Sequence, residues 1–235
     1  MSVQIPASVP AVQREVWQLA GRLFAEVPNG WTIVGGQMVQ FHGWRMGVVP
    51  GRVTTDLDAG IAARSHPDAF PVLTAALQDL GLRAVQHDSG IEHRWVRDSE
   101  TQPGASIQID VLLPSNLGQR ARRSINGAPG VQSRGVQWAT DLSEVHSVRV
   151  GQDVFEVPVP GLVGALVAKA SALLNSSDVR PRRHLDDLSF LCGLARPSDF
   201  RVELAASQRA RLEQALRRLS ADAPGVAMVR LALER

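Results

Sequence analysis

Val53-Thr54-Thr55-Asp56-Leu57-Asp58-Ala59-Gly60 alternates with a period of two. On a strand, successive side chains point to opposite faces, so Val53, Thr55, Leu57 and Ala59 form one face and Thr54, Asp56, Asp58 and Gly60 the other. The apolar set turns to a core, and two carboxylates share the opposite face. Residues two apart on a strand stand about 6.6 Å apart at Cα, close enough for both carboxylates to reach one ion or a pair of ions about 4 Å apart. The phase recurs downstream, where Ile107, Ile109 and Val111 point inward and Gln108 and Asp110 outward. Upstream, Trp31-Thr32-Ile33-Val34 reads as a buried strand that ends at Gly35-Gly36, with a helix expected from Gln37 to about Trp44. A strand-to-helix turn that offers backbone N–H groups to phosphate oxygens needs residues without Cβ, which approach closely and accept a positive φ. The helix N-terminus adds partial positive charge. A lone Asp-x-Asp or glycine pair is common in turns that bind nothing. Two phased acidic strands after a strand-Gly-Gly-helix point to a divalent cation held against a nucleoside triphosphate.

The flanking sequence predicts an α+β arrangement. Residues 10 to 27 carry Val12, Val16, Leu19, Leu23 and Phe24 at helical spacing, and a second helix follows Pro67, with Phe70, Leu73, Leu77 and Leu80 inward and Gly81 past its end. Strand-like pieces are expected at 53–61, 82–86, 91–96 and 106–113, a basic loop at 115–135, and a hairpin from about 145 to 157. After Pro160 the pattern is helical, at 162–174, 185–194, 198–219 and 224 onward. This suggests a mixed-sheet domain at 1–160 and a helical domain at 161–235, with a cleft between them.

With 235 residues, 44% of them hydrophobic, the chain can bury one sizeable core or two modest ones. Cys192 is the only cysteine, so no disulfide within the chain is possible. Residues 1–10 lack the basic-then-apolar order of a signal peptide, and no run of 18 uncharged apolar residues occurs, so a soluble cytoplasmic protein without a membrane partner is expected. The net charge of +2 is too small to argue a nucleic-acid partner from totals. Six histidines without paired helical spacing argue against zinc, and no P-loop or Gly-x-Ser-x-Gly motif is present.

Lys169 is the only lysine beside 24 arginines. Leu162, Leu166, Lys169 and Leu173 fall on one helical stripe, so the ammonium lies on the buried face and needs a partner or a ligand. An ion pair with Asp186 or Asp187 is one reading, and triphosphate oxygens in the cleft are the other.

In Ile33-Val34-Gly35-Gly36, Arg52-Val53-Thr54-Thr55-Asp56-Leu57-Asp58, Ile109-Asp110-Val111, Lys169 and Asp187-Leu188, the chain resembles the nucleotidyltransferase superfamily of the DNA polymerase β-like fold, and within it the AbiEii-type toxin group. The resemblance covers roughly residues 30 to 195. It implies Mg²⁺-dependent transfer of a nucleoside monophosphate from an NTP to an acceptor hydroxyl, with two ions, and with Asp56, Asp58 and Asp110 as metal ligands. Asp110 would also deprotonate or orient that hydroxyl. Gly35, Gly36, Gln37, Arg52, Thr55, Lys169 and Asp187 would bind the nucleotide, and the resemblance favours the cleft reading of Lys169. The toxin group implies tRNA or another RNA as acceptor and a neutralising antitoxin protein. The sequence departs from the wider pattern at Gly36-Gln37, where serine commonly follows glycine, and from the toxin group at His184, where an acid is usual.

Arg120, Arg122 and Arg123 on one loop, and Arg180, Arg182 and Arg183 before a helix, stand where they can follow an RNA backbone; solvated surface is the plainer reading of either group. Two alternatives remain at this point. A small-molecule, aminoglycoside-type nucleotidyltransferase needs acidic pocket residues for a cationic acceptor, and a non-catalytic nucleotide-binding protein of the same fold has no need of all three acids.

Overall fold

A computed structural model describes residues 2–51, 54–85, 90–118, 121–175 and 181–234. Its centre is a six-stranded sheet of β2 (Trp31–Val34), β3 (Leu57–Ile61), β4 (Arg83–Ala84), β5 (Arg94–Asp98), β6 (Ser106–Pro114) and β7 (Val131–Ser133). The order is β2-β3-β6-β5-β4, with β7 pairing the end of β6. β3 and β6 run parallel and are flanked by the antiparallel partners β2 and β5. A second, three-stranded sheet pairs the short β1 (Val3–Gln4) with the hairpin β8 (Ser143–Val150) and β9 (Asp153–Pro160). The mixed sheets and the helices around them are the α+β class expected.

The inward set of the alternating strands is fully buried, with Leu57, Ala59 and Ile61 on β3 and Ile107, Ile109 and Val111 on β6. α1 (Ala11–Glu26) lays Val12, Val16, Leu19 and Leu23 against this core, and α3 (Ala69–Asp79) adds Phe70, Leu73 and Leu77. Gly81 takes φ +83° past the end of α3. α2 (Gly35–Arg45) follows β2 without a linker and packs on α5 (Leu162–Leu173) and α6 (Pro181–Leu194). α4 (Val136–Asp141), α7 (Ala206–Leu216) and α8 (Val226–Leu233) complete the helices. Buried side chains from both halves of the chain join one hydrophobic cluster.

Several boundaries differ from the sequence expectations. β3 begins at Leu57, not at 53: the ladder to β2 ends where Val34 pairs with Asp58 and the chain turns into α2, and residues 54–56 run past the end of β2 and join no ladder. α2 begins at the glycines themselves, not at Gln37, and α6 begins at Pro181, not at 185. The expected helix at 198–219 divides into a 3₁₀ turn at Pro197–Arg201 and α7, separated by extended Val202. The segment read as loop contains β7, and α4 follows where no element is expected. The expected Asp88-Ser89-Gly90 turn lies mostly outside the described residues.

Candidate functional site

Pairing across the large sheet places Val34, Asp58, Asp110 and Arg94 in one row on β2, β3, β6 and β5. Asp58 and Asp110 are therefore lateral neighbours on parallel strands. Asp56, just ahead of β3, is positioned locally by the Thr54 hydroxyl, which donates to its Oδ1. One oxygen of each of the three carboxylates lies within 4.8 Å of the others, and among the described residues this is the only such grouping of potential metal ligands. An all-oxygen, all-carboxylate donor set suits a hard dication and not a thiophilic one.

Gly35 has φ +68°, and a Cβ built on it would lie 1.6 Å from Asp58 Oδ2. The glycine is thus required twice, by its backbone and by the carboxylate in the space a side chain would fill. Gly35→Ala is expected to displace Asp58 and to abolish any thermal shift on adding Mg²⁺; a variant that retained the full shift would show that Asp58 is not a ligand. Gly36 is buried in the first turn of α2 and is not among the positive-φ glycines. The α2 N-terminus has no side-chain cap, so its N–H groups remain for a ligand.

Burial, then the charges of Asp56 and Asp110, push the Asp58 carboxyl up to about 7. Asp110, 8% exposed, is held by Arg94 through two parallel bonds of 2.9 Å, Nε to Oδ1 and an η-nitrogen to Oδ2, while Gln108 Nε2 donates to Oδ2 at 3.2 Å. Oδ2 accepts from both donors, while Oδ1 accepts only from Arg94 and retains a second lone-pair direction, so the clamp fixes Asp110 without removing it as a ligand. Arg94→Lys keeps a charge but loses the fork. We expect it to weaken divalent-cation binding about tenfold or more by loosening Asp110, and an Mg²⁺ thermal shift equal to wild type would show that the clamp is dispensable.

The carboxylates open onto a cavity of about 580 Å³, whose walls also include Gly35, Gly36, Arg94, Lys169, Arg183 and His184. Lys169 and Asp187, 3% and 5% exposed, form a 2.7 Å ion pair between α5 and α6. Of the two ion-pair candidates Asp187 is thus the partner, and Lys169 reaches the cavity wall as well. Gln37 is placed elsewhere: it is fully buried, accepts from Gln13 and Trp17, and donates to the Thr54 carbonyl at 3.0 Å. Its place is under the segment that carries Asp56, not on the cavity surface. Thr55 is exposed and does not line the cavity. Arg52, Arg120 and Arg180 lie outside the described residues. Arg122 and Arg123 border a different depression, Arg182 is exposed, and among the described members of the two groups Arg183 alone lines the cavity.

The fold as a whole has a counterpart among solved structures. An antigenic nucleotidyltransferase-like protein from Paracoccidioides brasiliensis is similar in structure, with a TM-score of 0.59 over 96% of this chain and 94% of that chain, at 12% identity. The fold is nucleotidyltransferase-like. The antibiotic-resistance factor ANT(2'')-Ia covers 87% of this chain and 91% of its own at 16% identity, with a TM-score of 0.41. No protein-family model matches the sequence. No curated protein matches it either. Among the described residues, no helix is long and apolar enough to cross a membrane.

Arg94 is the residue that sequence reasoning missed. Its meeting with Asp110 depends on the β5–β6 register, and the only sign in the sequence is a cation within a strand-like piece.

Proposed function

We propose that this protein is a Mg²⁺-dependent nucleotidyltransferase that moves a nucleoside monophosphate from an NTP to a hydroxyl acceptor. The observation that carries this reading is the convergence of Asp56, Asp58 and Asp110 within 4.8 Å beside Gly35 and the open N-terminus of α2. Asp56, Asp58 and Asp110 would hold the cation, or two of them, and the bound metal would supply charge neutralisation at the reacting phosphate. The backbone of Gly35 and Gly36 and the nearby Lys169 and Arg183 bind phosphate oxygens. Asp110, fixed by Arg94, orients the acceptor hydroxyl or takes its proton. The hydroxyl oxygen bonds to the α-phosphorus, the bond from that phosphorus to the α–β bridging oxygen breaks, and pyrophosphate leaves with the electron pair. Positioning and preorganised charge carry the rate. On this reading residues 1–160 supply the reacting groups, and 161–235 supply Lys169 with its partner Asp187.

Charge on the walls favours an anionic acceptor over a cationic aminoglycoside. Arg94, Arg134 and Arg183 line the site, and among the described lining residues the only carboxylates are the three that would bind metal. This supports tRNA or another RNA as acceptor; a toxin-type role, countered by an antitoxin, rests on the sequence resemblance. The decisive experiment incubates the protein with each labelled NTP, Mg²⁺ and total RNA, beside an Asp56→Ala Asp58→Ala control. Label transfer by wild type and not by the control is expected; equal transfer by both would sink the assignment. Growth arrest on expression, relieved by Asp110→Ala, tests the toxin role.

A further inference from the structure

Beyond the carboxylate cavity, a second pocket of about 380 Å³ lies where the large sheet meets α4, α5 and α7. Three arginines from separate parts of the chain line it: Arg64 after β3, Arg134 before α4 and Arg211 on α7. No carboxylate is among its described lining residues. Three guanidinium groups around one pocket, with no acid among its described walls, make a positive local potential that favours an anion.

A second observation points the same way. Ser171 on α5 is 1% exposed, lines this pocket, and its hydroxyl has no hydrogen-bond partner. A buried hydroxyl left unpaired is unfavourable, and a ligand accepting a hydrogen bond from it would offset that cost. Gln137, also on the wall, donates its Nε2 to Asp141 at 2.7 Å and leaves its buried Oε1 without a donor. The pocket therefore offers four donors to an anion and one acceptor to an adjoining hydroxyl, the pattern of a phosphate ester on a polyol.

Its position gives the pocket a role. Arg134 and Gly135 line both this pocket and the inner recess that reaches Asp58 and Lys169, so the two sites share a wall. We propose that the pocket is a phosphate subsite for the acceptor, holding a phosphate of the molecule whose hydroxyl is presented to Asp110. The proposal rests on the nucleotidyltransferase reading for its role, though not for its chemistry. The phosphate can be the monoester of a small sugar phosphate or a diester of a nucleic-acid strand. A strand would continue past Arg64 into the neighbouring depression bordered by Arg122 and Arg123.

The test measures binding without NTP or Mg²⁺, so that it does not depend on catalysis. Ribose 5-phosphate and a short oligoribonucleotide are titrated by calorimetry into wild type and into Arg64→Gln, Arg211→Gln, Arg211→Lys and Ser171→Ala. We expect at least one probe to bind, and each glutamine substitution to weaken it about tenfold, the loss of one charge-assisted contact. Arg211→Lys, which keeps the charge, should recover part of the loss. Binding of ribose 5-phosphate identifies a monoester; binding of the oligonucleotide alone, with a salt slope that falls by about one for each arginine removed, identifies a strand. If neither probe binds, or if binding is unchanged in both folded glutamine variants, the subsite is wrong. A thermal melt checks folding, and Arg64→Gln is the safer variant, since the only bond shown for Arg64 is to the Ser115 carbonyl at the surface. Arginine-dependent binding in a protein that transfers no label would leave the subsite standing and remove the proposed reaction. Label transfer with an acceptor KM unmoved by Arg211→Gln would do the reverse.

Discussion

Asp58→Asn is expected to abolish nucleotidyl transfer and, at the same time, to make the metal-free protein more stable above pH 7. The two effects share one cause. Asp58 sits half-buried beside Asp56 and in register with Asp110, and burial together with those charges raises its carboxyl from 3.8 to about 7. The unfolded chain releases this proton near the ordinary value, and the folded chain holds it longer. Stability is therefore free of this penalty below about pH 4, declines as pH rises towards 7, and carries the full cost above it. Asparagine is never charged and escapes that cost. The displacement converts to roughly 4 kcal/mol at most, and screening of a half-buried group reduces it to on the order of 1–3 kcal/mol. For a chain of this size that is a rise of about 2–4 °C per kcal/mol.

Added Mg²⁺ should invert the ranking. A ligand that binds only the folded state stabilises it by mass action, and its ligands must be deprotonated, so the wild-type thermal shift should grow from pH 6 to pH 8. The asparagine variant should show little shift at either pH. Transfer should fall about a thousandfold or more, since metal-supplied charge stabilisation contributes several kcal/mol at the transition state. A metal-free variant that melts below wild type at pH 8 would refute crowded negative charge as the source of the strain.

The acids were legible in the sequence because a strand has a period of two: once Leu57, Ala59, Ile107 and Ile109 turn inward, Asp58 and Asp110 have only the other face. Their partners were not legible for the same physical reason. Arg94 meets Asp110 through a register between strands, which long-range pairing sets and local periodicity does not encode. Gln37 stands in a helical run where its neighbours suggest a phosphate turn, yet Gln13 and Trp17, from α1, draw its side chain into the core. The partner of Lys169 was within reach, because His184, Asp187, Leu188 and Leu191 form one buried stripe on α6 and Asp186 lies on the exposed side. The basic loop concealed β7 because three residues are too few to show an alternation.

Lys169→Met carries the other large expected effect, because it removes one member of a dry ion pair. Asp187 would lose its 2.7 Å contact between α5 and α6, and removing one member of a buried pair costs about 3–5 kcal/mol, or on the order of 10 °C in melting temperature. Replacing both partners, as Lys169→Met with Asp187→Leu, removes both buried charges together and should restore most of that stability, since apolar pairs of similar volume often match a buried ion pair. Activity separates the two roles that the sequence left open. If Lys169 serves only to hold the helices together, the stable double variant recovers transfer along with its fold. If the ammonium also meets the triphosphate from the cavity wall it lines, the double variant melts near wild type yet keeps a raised KM for NTP and a depressed kcat/KM. We expect the second outcome. Of 25 basic residues, lysine occurs only here, and a helix seam that needed nothing but a cation could have been closed by the arginine used everywhere else in the chain.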